Sequence, residues 1–429
     1  MNTDVSCTCS CYLTYGHPAA SRAWSQHRDE SILDYFNKAD GSWTCHKCRM
    51  DPCLFRFERV RTPGQPPEEA IALIYTDDCD LIGSTDEILQ EIFDVVNKRW
   101  GAKEVDADFV LGVKRTHTVN EATGEHTVEL TMSAFIDGMV EAFKDELGDD
   151  EVDTPFPPKV VLSKFDYDQG LVSSEECKRY LDKGYMRAVG MILWASRQVF
   201  AECAVGVSML CRVMSCPNET SWRCAMHMIK WLRSQRERGL LYRSYAMSIP
   251  VGFADSSNDS DPYNGRCQYG FAIVLAGAAV IYQSKKLNHV SPNGSASHCE
   301  YMAICHCNQS VVWMRQLLQE LGFEEMLMMP TPVYGDNRQA NTLAVEDIIT
   351  SGNQYIYLPY HYNKEVSEQG YVEVRDVRTA LNIADLFTKP VLNRYQGIRY
   401  KHWLVSYWDM NRLIMMRLIR ALQCRSNML

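Results

Sequence analysis

Four carboxylates in the second half of the sequence fall where predicted strands end or predicted helices begin. Asp255 ends a strand in "GFAD", and Glu300 lies in the first turns of a long helix. Asp336 ends a strand in "VYGDN", and Asp385 opens a short helix in "NIADLFTKP". Four carboxylates at one sheet edge would surround two divalent ions, which hydrolyse phosphodiesters by activating water and stabilising the leaving oxygen. Because the chain contains 54 acidic residues, the alternative is that these four are unrelated surface carboxylates.

A second acidic feature is the pair Asp77 and Asp78 in "ALIYTDDCDLIG", residues 72–83. The two short apolar runs around the pair are typical of a β-hairpin with carboxylates on its turn. Adjacent carboxylates repel each other, and a cation relieves that repulsion. The residues leave two interpretations open: a metal-binding polymerase turn and an acidic surface turn.

The elements that would position these residues fall into four segments. Residues 1–160 alternate strands and helices and end in the Pro-rich linker "DTPFPPKVVLS", and residues 161–245 are mostly helical. Residues 246–395 have the order of an α/β domain with a mixed sheet: three strands, helix, strand, helix, strand, helix. Residues 396–429 form a basic, amphipathic helical tail. The predicted fold class is therefore α/β.

Composition limits the class of protein. The chain has 429 residues, of which 46% are hydrophobic, and this predicts a globular protein of two or three domains. Because no apolar run is long enough to span a bilayer and the start lacks a secretory signal, we expect an intracellular protein without a membrane partner. In that setting the 17 cysteines are expected to be buried thiols. The net charge of −10 disfavours a nucleic-acid partner unless a local basic patch or metal ions offset it.

Several motifs, taken in order, resemble one known family. "GFADSS", "GFAIVL", "AAVIYQSKK", "SASHCEYMA", "VYGDNRQAN", "YHYNKEV" and "NIADLFTKP" resemble the ribonuclease H domain of copia-type retrotransposon Pol polyproteins. "YGHPAASRAW", "DPCLFRF", "IYTDDCDLIG" and "FVLGVKR" look like the reverse transcriptase that precedes it there. "YMRAVGMILWASRQ" and "SWRCAMHMIKWLRS" are similar to the helical connection. The resemblance runs from about Tyr15 to Pro390 and implies an α+β palm, a helical connection and a ribonuclease H-like domain.

The resemblance implies a two-ion Mg²⁺ nuclease that cuts the RNA strand of RNA–DNA hybrids, with these metal ligands: Asp255, Glu300, Asp336 and Asp385. His361 in "YHYNKEV" would assist proton transfer or product release, with a structural role as the alternative. Lys285 and Lys286 in "QSKKLNH" would contact hybrid phosphates, or simply end a solvated strand. Template RNA, tRNA and other Pol chains are further implied partners, in a cytoplasmic particle or the nucleus.

The resemblance also makes Asp77 and Asp78 the polymerase aspartates, with Tyr75 beside the primer terminus. A palm in this family has another metal-binding aspartate on an earlier strand, and only fourteen residues precede Tyr15 here. We therefore expect impaired polymerase activity. The alternatives are a reverse transcriptase completed by another chain, a non-catalytic nucleic-acid-binding remnant and an unfolded product.

The cysteine-rich start invites a zinc interpretation through "CTCSC" and "CHKC" (Cys45 and Cys48). A structural zinc site needs a second pair of ligands that closes a tetrahedral shell, and Cys53 lies in "DPCLF", which resembles family core. Zinc is therefore not expected, and Mg²⁺ is the predicted metal.

Overall fold

The computed structural model describes residues 20–37, 41–62, 64–75, 78–104, 108–244, 249–257, 263–288, 290, 295–346 and 357–390. Of Phe165 and residues 357–360 only the backbone is described. The chain divides into two compact units, an N-terminal unit of residues 1–104 and a C-terminal unit of residues 105–429. The four segments predicted from the sequence stay a prediction.

The N-terminal unit is a four-stranded antiparallel sheet, in the order β1-β2-β3-β4, with two helices. The bounds are α1 (Ala20–Phe36), β1 (Trp43–Lys47), β2 (Leu54–Arg59), β3 (Glu68–Tyr75), β4 (Asp78–Gly83) and α2 (Asp86–Trp100). Helix α2 begins where its sequence predicts, because the Thr85 side chain accepts a hydrogen bond from the Ile88 N–H. Apolar faces of both helices pack with alternate strand residues in one core that includes Ile32, Phe57 and Ile88.

The C-terminal unit holds the remaining described elements. They are β5 (Phe109–Val110), β6 (Val113–Asn120), β7 (Glu125–Thr131), α3 (Ser133–Ala142), α4 (Phe165–Asp168), α5 (Ser174–Asp182), α6 (Tyr185–Gln198), α7 (Ala204–Arg212), α8 (Glu219–Ser234), β8 (Leu240–Arg243), β9 (Val251–Ser257), β10 (Gln268–Leu275), β11 (Ala278–Lys286), α9 (Ala296–Glu320), β12 (Thr331–Gly335), α10 (Arg338–Val345), α11 (Tyr357–Glu368) and β13 (Val372–Asp376). Short 3₁₀ helices cover Ala201–Cys203, Glu324–Leu327, Thr379–Leu381 and Ile383–Phe387.

A five-stranded mixed sheet carries the predicted carboxylates. Its strand order is β11-β10-β9-β12-β13, with the first three strands antiparallel and β12 parallel to both β9 and β13. Strand β10 is buried along its whole length, and β9 nearly so, as expected for central strands covered on both faces. The long helix α9 packs on β9 and β10. The order of the strands and of the long helix follows the prediction, and the α/β fold class is confirmed.

The C-terminal unit also contains a four-stranded sheet with the strand order β5-β6-β7-β8. Strand β8 pairs with β7, so that Tyr242 is opposite Val128, and the Tyr242 hydroxyl donates to the Ala279 carbonyl at 2.9 Å. Helix α6 is joined to β11 by the Tyr282 hydroxyl, which donates to the Ser196 carbonyl at 2.6 Å. The helical segment therefore packs against the edge of the five-stranded sheet.

Three local features differ from the sequence prediction. The sequence "DFVLGVKRT" predicts one strand, but a turn splits it into β5 and β6, and in this turn Leu111 and Gly112 have φ values of 52° and 79°. Two helices, α10 and α11, lie between β12 and β13 where one was predicted. Cys267 and Cys299 form a disulfide, whereas most other described cysteines are free and buried, as expected for thiols.

Candidate metal centre

Asp255 and Asp336 are neighbours because of the sheet register. Strand β12 runs parallel to β9 with Tyr334 opposite Phe253, and these two rings stack with centroids 5.4 Å apart. Since side chains alternate along a strand, the residues two positions further on point to the same face. Asp255, which is only 2% exposed, and Asp336, just after β12, therefore meet at one end of the sheet.

Glu300 reaches the same place from α9. The helix begins after Ser295, whose side chain accepts from the His298 N–H, and Glu300 lies in the following turn. The Glu300 carboxylate accepts a hydrogen bond from the Ser256 backbone N–H at 3.0 Å. One ligand oxygen from each of Asp255, Glu300 and Asp336 lies within 4.8 Å of the other two. Three of the four predicted carboxylates thus form a group, called the acidic centre below.

Asp385 is held close to the acidic centre but is not a member of this group. It lies in the 3₁₀ helix Ile383–Phe387, which begins after Asn382. The buried Asn382 side chain donates to the Ala254 carbonyl at 2.9 Å and accepts from the Ala384 N–H at 3.1 Å. This segment therefore lies along β9, and Asp385 pairs with the Lys389 ammonium at 2.8 Å.

Burial and mutual repulsion raise the pKa values of Asp255 and Glu300 in the acidic centre. Burial, with the charges of Asp336 and Asp385, raises the pKa of Asp255 to about 7, against the lowering effects of Lys389 and the Thr388 hydroxyl. Burial, followed by the charges of Asp255 and Asp336, raises the pKa of Glu300 to about 9. Without a cation, these carboxylates cannot all ionise easily at neutral pH.

The donor set fits a hard divalent cation. All three side chains offer carboxylate oxygen, which Mg²⁺ prefers, and their ligand atoms are close enough to surround one ion. A divalent charge would replace the protons that the raised pKa values imply. These residues therefore suit Mg²⁺ better than zinc, for which nitrogen and sulfur ligands are usual.

The other predicted nuclease residues lie further from this group. His361 is exposed on α11 and is not part of the acidic centre. Lys285 and Lys286 end β11, the outer strand, and Lys285 is opposite Tyr269, which is opposite Ser256. With strands about 4.8 Å apart, the two lysines lie roughly 10 Å from β9, at the end of the sheet that carries Asp255.

The predicted polymerase hairpin is present in the N-terminal unit. Strands β3 and β4 pair with Tyr75 opposite Asp78, and both side chains are exposed beside the turn. Asp77 lies outside the described residues. The described part of this unit contains no group of three metal-ligating side chains like the acidic centre.

Cys45 and Cys48, the described cysteines of the zinc interpretation, are buried thiols. Cys45 and Cys48 are buried near each other, and burial, followed by the charge of Cys48, raises the pKa of the Cys45 thiol to about 12. Thiolate, not thiol, binds zinc. Cys7, Cys9 and Cys11 lie outside the described residues.

Sequence reasoning did not single out three residues that surround Asp255 and Asp385. The Thr388 hydroxyl donates to the Asp255 carboxylate, Lys389 pairs with Asp385, and Asn382 anchors the segment. The spacing of Asp385 and Lys389, four residues apart, is a signal that could have identified the ion pair. The Thr388 contact spans 133 residues of sequence and has no local signal.

Comparisons with known proteins agree with the motif resemblance. The chain is 25% identical over 380 residues to the retrovirus-related Pol polyprotein from transposon TNT 1-94 of Nicotiana tabacum, covering 88% of this chain and 26% of that protein. It is 24% identical over 382 residues to the Pol polyprotein from transposon RE1 of Arabidopsis thaliana, covering 88% and 23%. The chain spans about a quarter of the length of these curated relatives. No protein-family model matches it.

Among solved structures, the chain is similar to the N-terminal RNase H domain of a Mycobacterium tuberculosis protein, with 14% identity, a TM-score of 0.25 and coverage of 33% of this chain and 91% of that one. LC11 RNase H1 in complex with an RNA/DNA hybrid gives 12% identity, a TM-score of 0.25 and coverage of 32% and 92%. Scores of this size support no argument, so the fold assignment rests on the strand order.

In its described residues, the chain has no helix long and apolar enough to cross a membrane. The matches over most of its length confirm that this chain resembles copia-type Pol polyproteins.

Proposed function

We propose that the five-stranded domain is a Mg²⁺-dependent endonuclease that cleaves the RNA strand of RNA–DNA hybrids. The observation that supports this proposal is the convergence of Asp255, Glu300 and Asp336 within 4.8 Å, from two strands and one helix. The similarity to Pol polyproteins makes a hybrid the best candidate substrate. The first of these arguments is independent of the N-terminal unit, because all three carboxylates lie in the C-terminal unit.

In this proposal the acidic residues would hold two Mg²⁺ ions, which would supply activation of the attacking water and stabilisation of the leaving oxygen of the phosphodiester. Asp255 and Asp336 hold the ions, and Glu300 and Asp385 complete the two sites. The Ser256 N–H and the Thr388 hydroxyl fix the Glu300 and Asp255 carboxylates, so the ligands are oriented before a cation arrives.

Lys285 and Lys286 are the proposed contacts to hybrid phosphates. They lie at the end of the sheet that carries Asp255, where Lys285 is exposed and Lys286 is partly exposed. Replacing both with Met should weaken hybrid binding, measured by fluorescence anisotropy, and make it less sensitive to salt. Unchanged affinity and salt dependence would assign them to an ordinary solvated strand end.

The direct test is cleavage of a hybrid with a labelled RNA strand by the purified chain in Mg²⁺. Wild-type protein should cut the hybrid and leave RNA–RNA and DNA–DNA duplexes intact, and EDTA should stop the reaction. Asp336→Asn should lose at least about 100-fold in rate, because the amide is neutral and weakens cation binding. The matched control is Asp182→Asn, which changes an exposed aspartate in the same unit.

Three results of this test would contradict the proposal. Equal cleavage by wild type and Asp336→Asn would assign the activity to a contaminant or another site. Hybrid binding without cleavage, by a chain that melts cooperatively, would support the alternative of a non-catalytic nucleic-acid-binding protein. A chain without a cooperative melt would support the unfolded alternative.

A second candidate function, RNA-directed DNA polymerisation, is favoured by the β3–β4 hairpin, which presents Tyr75 and Asp78 beside its turn. In this proposal Asp77 and Asp78 would bind the metal ions, together with a further carboxylate from outside the described residues. We expect little or no primer extension by this chain alone. Template-directed extension that is lost in Asp78→Asn would show that the hairpin forms a working polymerase site.

The proposal extends to assembly with template RNA, tRNA and other Pol chains, in a cytoplasmic particle or the nucleus. Sedimentation of the expressed chain with RNA, sensitive to RNase treatment, would support it. Sedimentation as a free monomer would count against it.

A further inference from the structure

Lys389 brings a positive charge to the edge of the acidic centre. Its ammonium lies 2.8 Å from a carboxylate oxygen of Asp385, four residues earlier. The residue before it, Thr388, donates its hydroxyl to Asp255, so the backbone that carries Lys389 is fixed against β9. The lysine is therefore held beside the centre by its neighbour as well as by its own ion pair.

The lysine is nevertheless able to move. Its side chain is 46% exposed, whereas that of Asp385 is 25% exposed. A lysine has a flexible four-carbon chain, and a half-exposed ion pair gives only modest stabilisation. A rotation of the side chain alone can take the ammonium into water and break its ion pair with Asp385.

The surrounding carboxylates stabilise the Lys389 ammonium beside the acidic centre. Burial acts to lower the pKa of Lys389, but the carboxylates of Asp255, Asp385 and Glu300 raise it overall. The same ammonium acts in the opposite direction on Asp255 and Glu300, whose pKa values it lowers. Lys389 is thus electrostatically coupled to the acidic centre and not to Asp385 alone.

We propose that Lys389 is a positioning residue that competes with divalent cations: its ammonium holds Asp385 in the cation-free protein, and cation binding at Asp385 displaces it. This inference rests on the proposed metal centre and adds a determinant of its cation affinity. It follows that the centre binds cations more weakly than its carboxylates alone would, because an ion pair must break and a positive charge stays close.

The test is Mn²⁺ binding to the purified full chain, measured by the loss of the free-ion electron paramagnetic resonance signal. Mn²⁺ favours the same oxygen ligands as Mg²⁺. Lys389→Met removes the charge but keeps an unbranched side chain, and we expect it to bind Mn²⁺ about tenfold more tightly than wild type. Lys389→Arg keeps the charge and should stay within about twofold of wild type.

Lys364→Met is the matched control, because Lys364 pairs with Glu368 at 3.5 Å on α11, four residues later, in the same kind of ion pair. It should leave Mn²⁺ affinity within about twofold of wild type. Unchanged or weaker binding by Lys389→Met, in a chain whose melting curve matches wild type, would overturn the inference. If Lys389→Met does not fold, wild-type affinity in Lys389→Gln would overturn it equally.

The outcomes separate this inference from the proposed function. If wild-type protein binds no Mn²⁺, the metal centre fails, and the inference fails with it. If wild type binds Mn²⁺ and cleaves the hybrid, but Lys389→Met binds Mn²⁺ no more tightly, only the role of Lys389 is wrong.

Discussion

Asp255→Asn should stabilise the cation-free protein at alkaline pH, although it removes a proposed metal ligand. Asp255 is almost fully buried, and its pKa rises from 3.8 to about 7, first through burial and then through Asp336 and Asp385. Between pH 3.8 and about pH 7, the Asp255 side chain is protonated in the folded protein but ionised in the unfolded chain. The free energy of unfolding therefore falls as pH rises through this window, and the loss is complete above about pH 7.

The size of the effect follows from the pKa difference. About three units at roughly 1.4 kcal/mol each set an upper value of about 4 kcal/mol, and reorganisation around the ionised group reduces it to about 2 to 4 kcal/mol. Asparagine cannot ionise and keeps an oxygen to accept the Thr388 hydroxyl. The variant should thus gain this free energy above pH 7 and gain almost nothing near pH 4.

The assay is thermal unfolding in EDTA, followed by circular dichroism, for wild type, Asp255→Asn and the control Asp182→Asn. At pH 8.5 the melting temperature of Asp255→Asn should exceed that of wild type by about 5 °C or more, and near pH 4 the two should agree. Mg²⁺ at a hundred times its dissociation constant should stabilise wild type by about 2.7 kcal/mol and the variant far less. A variant that is less stable than wild type in EDTA at pH 8.5 would refute the electrostatic reasoning.

Three further changes test the packing that supports the acidic centre. Gly270→Ala would place a Cβ 2.4 Å from the Phe387 Cβ. This clash should lower the free energy of unfolding by about 1 to 3 kcal/mol, measured by urea denaturation. It should also weaken Mn²⁺ binding, measured by cation titration. Asn382→Ala would leave the Ala254 carbonyl without its 2.9 Å donor and should cost about 2 to 3 kcal/mol, seen as a lower urea midpoint. Arg315→Met would remove a buried guanidinium that donates to three oxygens. It should lower the free energy of unfolding by about 3 kcal/mol in the same assay. Hybrid cleavage should be kept under conditions in which the variant is folded.

Elements with a strong local pattern could be predicted from the sequence. The segment "ASRAWSQHRDESILDYF" predicts a helix, and α1 has these bounds; the β3–β4 hairpin follows from two apolar runs around an acidic turn. Asp255 and Asp336 could be placed together because both follow apolar strand patterns, and strand ends meet at a sheet edge. In each case the information lies within about ten residues of the feature.

Features set by distant partners could not be predicted. Strand β8 exists because it pairs with β7, with Leu240 opposite Leu130, and four residues of "LLYR" carry no strand signal of their own. The Cys267–Cys299 disulfide depends on the position of α9 relative to β10. The offset of Asp385 from the group of three likewise depends on how its 3₁₀ segment meets the sheet, which no local pattern encodes.

Three consecutive residues of β9 hold the acidic centre together. The Ala254 carbonyl accepts from Asn382, the Asp255 carboxylate accepts from Thr388, and the Ser256 N–H donates to Glu300. Strand β9 therefore positions both helix α9 and the Asp385 segment. The hydrogen-bonded residues are 44 to 133 residues apart in the sequence.

This arrangement couples the folding of the domain to the chemistry proposed for it. A one-residue slip of β9 would turn Asp255 away from Asp336 and break all three contacts at once, because side chains alternate along a strand. The same contacts hold carboxylates together against their repulsion, and protons, Lys389 or a cation relieve that repulsion. The alkaline instability expected of the cation-free protein and the cation affinity expected of the folded one thus have a single physical origin, and Asp255→Asn should reduce both together.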